Sequence, residues 1–133
     1  MKVMIDTNII ISAALNPQGT AAAAFIKALT PPNQPILCDY IVDELHRKFR
    51  EKFPNRLTEL EAFLFNVLQF IRIVPTPEDE RSDEKKIRDV KDRPILRAAL
   101  QANAAFLLTG DKDFLESGIK NPKIISAGAF LCL

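Results

Sequence analysis

Five short aliphatic runs alternate with segments of helical period, and this alternation limits the fold more than any other feature of the sequence. Residues 2 to 6 with 9 to 11, Pro35 to Cys38, Ile71 to Val74, Phe106 to Thr109 and Lys123 to Ser126 are the five runs. They are brief and lack a regular polar alternation, which suits parallel strands buried on both faces. Between them, Thr20 is placed to cap a helix running to Leu29 that Pro31 and Pro32 stop. Ile41, Leu45, Phe49 and Phe53 form an apolar stripe of period four that Pro54 closes. Thr58 and Glu61 have the spacing of a capping box for a helix over 58 to 71. Asp92 is a natural N-cap for a helix carrying Ile95, Leu96, Ala99 and Leu100, with Pro94 in its first turn. Gly110 to Asp113 is a tight turn into a further short helix.

Strands alternating with helices predict an α/β fold, a three-layer α/β/α sandwich around a central parallel sheet of about five strands. With 133 residues, 47% of them hydrophobic, the chain is long enough for one sizeable core and too short for two typical domains, so residues 1–133 are expected to form a single unit. Residues 75 to 93 are polar and charge-rich without an apolar period and read as a mobile loop. The apolar residues of 58 to 71 cover more than one stripe, as in a helix facing a second chain or one packed on two sides.

The first run raises a chemical question, because Asp6 stands in VMIDTNIII with aliphatic residues on both sides. It falls at the carboxyl end of the first strand, and Asp111 falls just beyond the end of the fourth. In open parallel sheets that edge is where ligands bind. Glu44 and Asp92, near the starts of two helices that face the same edge, can reach the same region. At about 100° per residue, Glu44 sits about 60° from Ile41, at the border of the apolar stripe. Singly, each acid has an ordinary alternative: a strand end, a solvated helix charge, an N-cap or a turn. Jointly they pose an electrostatic problem, since two carboxylates about 4 Å apart repel by about 4 kcal/mol at an effective dielectric of about 20. A divalent cation relieves it, and oxygen ligands without clustered His or Cys favour Mg²⁺ or Mn²⁺ over zinc. Phosphoryl chemistry is then the leading class.

The stretches VMIDTNIIISA, YIVDELHRKF, VKDRPILRAAL and FLLTGDKDFL, in that order and separation, resemble the PIN-domain ribonucleases, especially the toxins of toxin–antitoxin pairs. The likeness covers nearly the whole chain. It implies a PIN fold and a metal-dependent endoribonuclease that leaves a 5′-phosphate and a 3′-hydroxyl. Asp6, Glu44, Asp92 and Asp111 match the acids of the family's metal pocket, Asp113 joins or substitutes for its neighbour, and Asn8 and Thr109 are supporting polar groups. One or two Mg²⁺ or Mn²⁺ ions are implied. Together with the apolar excess of 58 to 71, the resemblance implies a homodimer and leaves room for an antitoxin as partner.

The formal net charge is +1, so an RNA substrate has to be met by local patches of cations. Arg47, Lys48 and Arg50, with Lys52 and Arg56, lie just beyond Glu44, and Lys91 and Arg93 flank Asp92 with Lys85, Lys86 and Arg88 upstream. Charge runs are more often plain solvated faces. The aromatic residues do not interleave with the cations in an RNA-reading pattern, and His46, the sole histidine, receives no role. Cys38 and Cys132 are expected to be buried free thiols. No run approaches the ~20 apolar residues of a membrane span, so the expectation is a cytoplasmic protein without membrane contact. Two other classes compete. A phosphatase with an Asp nucleophile needs a second Asp two residues on, where Asn8 stands. A non-catalytic binding module would use its acids only for a structural cation.

Overall fold

A computed structural model describes all 133 residues. Five parallel strands, β1 (Lys2–Ile5), β2 (Gln34–Cys38), β3 (Arg72–Val74), β4 (Phe106–Leu108) and β5 (Lys123–Ile125), form one sheet in the order β3-β2-β1-β4-β5. Seven α-helices accompany them: α1 (Thr7–Leu15), α2 (Thr20–Leu29), α3 (Asp39–Lys52), α4 (Leu57–Leu68), α5 (Arg93–Gln101), α6 (Lys112–Leu115) and α7 (Ala127–Leu131). The chain steps from β1 out to β3 and then crosses to β4. Because parallel crossovers are right-handed, this reversal sets α1 to α4 on one face and α5 and α6 on the other. The expected α/β sandwich is the observed architecture.

The core sits on both sides of the two central strands. Val3, Met4, Ile5, Leu37, Leu107 and Leu108 are fully enclosed, which explains why these runs carry no polar alternation. The α3 stripe also packs as expected, with Ile41, Leu45 and Phe49 enclosed. Register pairs Ile5 with Leu108, so β1 and β4 end side by side. Their ends form the point at which strand order reverses.

Residues 9 to 11 are not a strand. The strand stops at Ile5, and Ile9, Ile10 and Ile11 are buried on α1. A helix that is apolar nearly all round has no period distinguishing it from a buried strand, which accounts for the misreading. Thr20 lies inside α2 rather than capping it, and Gly19 holds the cap position without a side-chain bond. The Thr58–Glu61 capping box does not form, because a 3-10 turn over Pro54–Arg56 leads straight into α4 and the helix starts already coiled. Glu61 bonds His46 Nδ1 instead, at 2.7 Å. That helix ends at Leu68, and Ile71 is buried just before β3.

Residues 75 to 93 hold two 3-10 turns, Ser82–Lys86 and Val90–Asp92, rather than a structureless loop. Glu84 is buried and accepts two bonds from the Arg97 guanidinium of α5, at 2.9 and 3.0 Å. Arg97 also donates to the Pro77 carbonyl at 3.1 Å, and Ile87 is fully enclosed. A charged side chain can anchor a loop once a partner neutralises it, and such an anchor leaves no apolar period in the sequence. Of the two cysteines, Cys38 is buried as expected, while Cys132 at the chain end is exposed.

Candidate active site

Asp6 ends β1 in extended conformation and is 4% exposed. Its Oδ1 accepts the Thr7 amide at 2.8 Å and its Oδ2 accepts the Thr109 hydroxyl at 2.7 Å. Thr109 Oγ1 in turn accepts the Asp111 amide at 3.0 Å. One hydroxyl therefore orients two acids from the two central strand ends. Asp111 caps α6, its Oδ1 accepting the Asp113 amide at 2.9 Å. Asp6 does have a helix to serve, contrary to what its apolar flanks suggest, yet the bond it accepts is from the adjacent residue and leaves the carboxylate edge facing the strand ends.

Glu44 enters from the second turn of α3, its side chain 12% exposed, and the buried Thr7 hydroxyl donates to its Oε1. Arg47 approaches the other oxygen at 3.7 Å. Thr7 thus links Asp6, through its amide, to Glu44, through its hydroxyl. Sequence reasoning missed it, although a Thr directly after a buried Asp was a readable signal.

Asp92 precedes α5 with helical backbone angles and makes no capping bond; Asp89 caps the 3-10 turn before it by accepting the Lys91 amide at 3.0 Å. The capping expectation for Asp92 fails because the chain is already coiled when it reaches that residue. Its carboxyl is turned inward, and Oδ2 is buried without a hydrogen-bond partner. Burial, the facing Asp111 carboxyl, and the charges of Asp6 and Asp89 push the Asp92 pKa up to about 8. Asp6 is raised to about 6 by burial, against the opposing effect of its Thr109 and Thr7 bonds, with Glu44 and Asp111 adding to the rise. Acids that are distant in sequence thereby bear on the carboxyls of Asp6 and Asp92.

The remaining expected residues fall around this group. Asp113 is held by Arg88, at 3.0 Å from Nε and 2.7 Å from a terminal nitrogen. Asp89, Asp92 and Asp113 can present oxygens within 4.8 Å of one another, and Asp89 was not foreseen. Asn8 is exposed and its amide oxygen accepts from Lys48 at 3.4 Å. Arg47 and Arg50 line the outer flank of α3 beside Glu44. Arg93 is half-buried and braces the loop by donating to the Ile87 carbonyl at 3.0 Å, whereas Lys91 is exposed and its carbonyl accepts from the Tyr40 hydroxyl.

The donor set fits a hard divalent ion. Asp89, Asp92 and Asp113, of which Asp92 and Asp113 were expected, offer carboxylate oxygens alone, and the set contains a buried acceptor, Asp92 Oδ2, that no group of the protein satisfies; Asp6, Glu44 and Asp111 lie outside this close group. Acids grouped at the switch point of an open parallel sheet, where such folds bind their ligands, define an α/β protein whose candidate site lies at the strand ends. The PIN domain model matches residues 2–113, and the chain belongs to the PIN domain family. No curated protein matches the sequence. Among solved structures, the VapBC2 complex of Rickettsia felis, bound to a DNA fragment from its promoter, is similar with a TM-score of 0.73 at 17% identity, covering 95% of this chain and 98% of that one. FitAcB from Neisseria gonorrhoeae gives a TM-score of 0.69 at 21% identity over 95% and 98% of the two chains. Mycobacterium tuberculosis VapC20, described as a sarcin-ricin-loop-cleaving toxin, gives 0.62 at 14% over 88% and 95%. At these identities the likeness establishes a shared fold. No single helix is long and apolar enough to cross a membrane.

Proposed function

We propose that this protein is a divalent-metal-dependent endoribonuclease and the toxin of a toxin–antitoxin pair. The observation that carries the reading is the buried, unpartnered Asp92 Oδ2 in a PIN-domain chain, with Asp111 and Asp6 near enough to raise its pKa and Glu44 and Asp111 near enough to raise that of Asp6. The descriptions of the similar R. felis and M. tuberculosis structures, VapBC2 and a sarcin-ricin-loop-cleaving toxin, support it.

Asp6 and Asp111 would hold the ion directly, Glu44 and Asp92 directly or through water, and Asp113 would join them when released from Arg88. One or two Mg²⁺ or Mn²⁺ ions, when bound, offset charge on phosphate oxygens and acidify water. The chain's own residues do the rest. Thr109 and Thr7 fix the orientation of the acids, and their loss loosens the site. Arg47, Lys48, Arg50 and Lys91 draw the RNA backbone towards a pocket that is otherwise acidic, while Arg93 keeps the loop beside Asp92 in shape. Hydrolysis leaves a 5′-phosphate and a 3′-hydroxyl.

Residues 1–133 act as one domain in the cytoplasm. Phe65 and Phe70, 71% and 72% exposed on α4 and the turn after it, favour a homodimer with an antitoxin nearby. Incubation of the purified protein with single-stranded and structured RNAs tests the main reading. Cleavage is expected with Mn²⁺ and lost with EDTA or in Asp6→Asn. A folded protein that cleaves none of these RNAs in Mn²⁺ overturns it, and hydrolysis of small phosphomonoesters in its place points to the phosphatase class.

A further inference from the structure

An open groove of about 560 Å³ runs along the outer flank of α3, lined by Tyr40, Asp43, Glu44, His46, Arg47 and Arg50. Glu44 lines the groove and also accepts from Thr7 and acts on the Asp6 carboxyl, so one wall of the groove belongs to the acid group. Tyr40, Glu44 and Arg47 follow at four- and three-residue steps and therefore share one helix face. Tyr40 is the groove's single large apolar surface, and its ring is half-buried. Its hydroxyl donates to the Lys91 carbonyl at 2.5 Å, which ties the ring to the turn that carries Asp92. Arg47 reaches Glu44 and Glu51 only at 3.7 and 3.5 Å and is half exposed, and Arg50 is exposed. His46 is held by Glu61 and is not free to engage a ligand as a donor from Nδ1.

A fixed aromatic ring beside two guanidiniums, opening onto a metal-type pocket, is the chemistry of a single-stranded nucleic-acid platform. Bases stack on the ring and phosphates meet the arginines. We infer that this groove is the subsite for the nucleotide flanking the scissile phosphate: its base stacks on Tyr40 and its backbone lies against Arg47 and Arg50. The inference rests on the nuclease reading and adds to it Tyr40, to which the sequence pattern gave no role in reading RNA. Tyr40 and Arg47 stand about 10 Å apart along the helix axis, so ring and guanidinium can be engaged by adjoining parts of one strand. Asp43, exposed at the lip, offers an acceptor to amino groups on a base edge and opposes an acidic peptide in the same place.

The test is direct because the protein has one tyrosine and no tryptophan, so its tyrosine emission reports Tyr40 alone. Single-stranded RNA is titrated into Asp6→Asn protein with Mg²⁺, so that binding is read without cleavage, and the same RNAs carrying one abasic position each are compared. Saturation with RNA is expected to quench the emission. Tyr40→Ala is expected to weaken binding about 5- to 150-fold, the range of one base–aromatic stack, while Tyr40→Phe keeps most of the affinity. One abasic position should cost the Tyr40 protein what Tyr40→Ala costs, and should cost Tyr40→Ala nothing further. The subsite is overturned if Phe is as harmful as Ala, if abasic and Tyr40→Ala losses simply add at every position, or if a peptide quenches the emission and RNA does not. Any of these results alongside RNA cleavage by the wild-type protein removes the subsite and leaves the nuclease reading standing. Absence of cleavage by the wild-type protein in Mn²⁺ removes the nuclease reading itself.

Discussion

Thr109 donates its hydroxyl to Asp6 Oδ2 at 2.7 Å and accepts the Asp111 amide on the same oxygen at 3.0 Å, although Asp6 and Thr109 are 103 positions apart in the chain. Thr109 is fully enclosed, so water cannot replace either bond. Thr109→Val keeps the shape and removes both, at a cost of about 1–3 kcal/mol for the groups left unsatisfied. Affinity for Mn²⁺ is expected to fall about 10- to 100-fold as the acids lose their orientation. Denaturant unfolding and calorimetric titration measure the two effects, and Thr109→Ser should restore both. A valine variant that matches the serine one in both measurements would show that the hydroxyl orients nothing.

Glu44→Gln separates the site's chemistry from its stability. The amide can still accept from Thr7, so the link between α1 and α3 survives. It removes one of the negative charges that raise the Asp6 pKa. The metal-free protein should be no less stable than the parent, while RNA cleavage in Mn²⁺ should fall by about 10²-fold or more, as for loss of a charge-stabilising group in an active site. Unchanged cleavage would take Glu44 out of the site.

Different parts of this arrangement were legible in the sequence for different reasons. Asp6 stood out because a carboxylate among aliphatic residues has few bland explanations, and the central strands stood out because burial on both faces suppresses polar alternation. Ile9 to Ile11 were misread because burial on nearly every side does the same to a helix. The turns at Ser82–Lys86 and Val90–Asp92 were invisible because their anchor is an ion pair between Glu84 and Arg97, thirteen residues apart with no repeat between them. Asp89 was overlooked within the same charge run, although its spacing of three from Asp92 was a readable hint. Tyr40 lay hidden because its relation to Arg47 is a matter of helix face, not of adjacency.

Stability of the metal-free protein should fall as pH rises through neutrality. In the folded state the Asp6 pKa is raised from 3.8 to about 6, and the Asp92 pKa from 3.8 to about 8. Between the ordinary and raised values the folded chain holds protons that the unfolded chain has released. The stabilising contribution is complete below about pH 4 and is lost as pH climbs through 6 and then 8. Glu84 and Asp39, whose pKa values are lowered, act in the opposite sense and only at acid pH, where their contribution disappears as pH drops through their folded values. Melting in EDTA between about pH 5 and 8 therefore isolates the two raised acids. Tm is expected to decline across that window, Asp92→Asn should flatten most of the decline, and Mn²⁺ should reverse it because a cation binds the deprotonated carboxylates. A metal-free Tm that rises from pH 5 to 8 would contradict the burial of these two acids and their closeness to the others.

The ion pair between Arg97 and Glu84 holds the segment that delivers Asp92 to the pocket. Arg97 and Glu84 side chains are only 13% and 3% exposed, and the guanidinium also bonds the carbonyls of Pro77 and Glu78. Arg97→Met leaves a buried carboxylate without its counter-charge and with only the Arg81 amide, at 3.1 Å, as a partner, which costs about 3–5 kcal/mol, whereas removing both charges with Glu84→Leu and Arg97→Met should recover most of that loss. The single variant should also open the turn that contains Lys85 and Lys86 to trypsin, since an anchor lost at Glu84 frees the residues beside it. Limited proteolysis followed by mass measurement of the fragments reads this directly. If Arg97→Met is cut no faster than the parent at those lysines, the pair does not restrain the loop, and Asp92 is positioned by the packing of Ile87 instead.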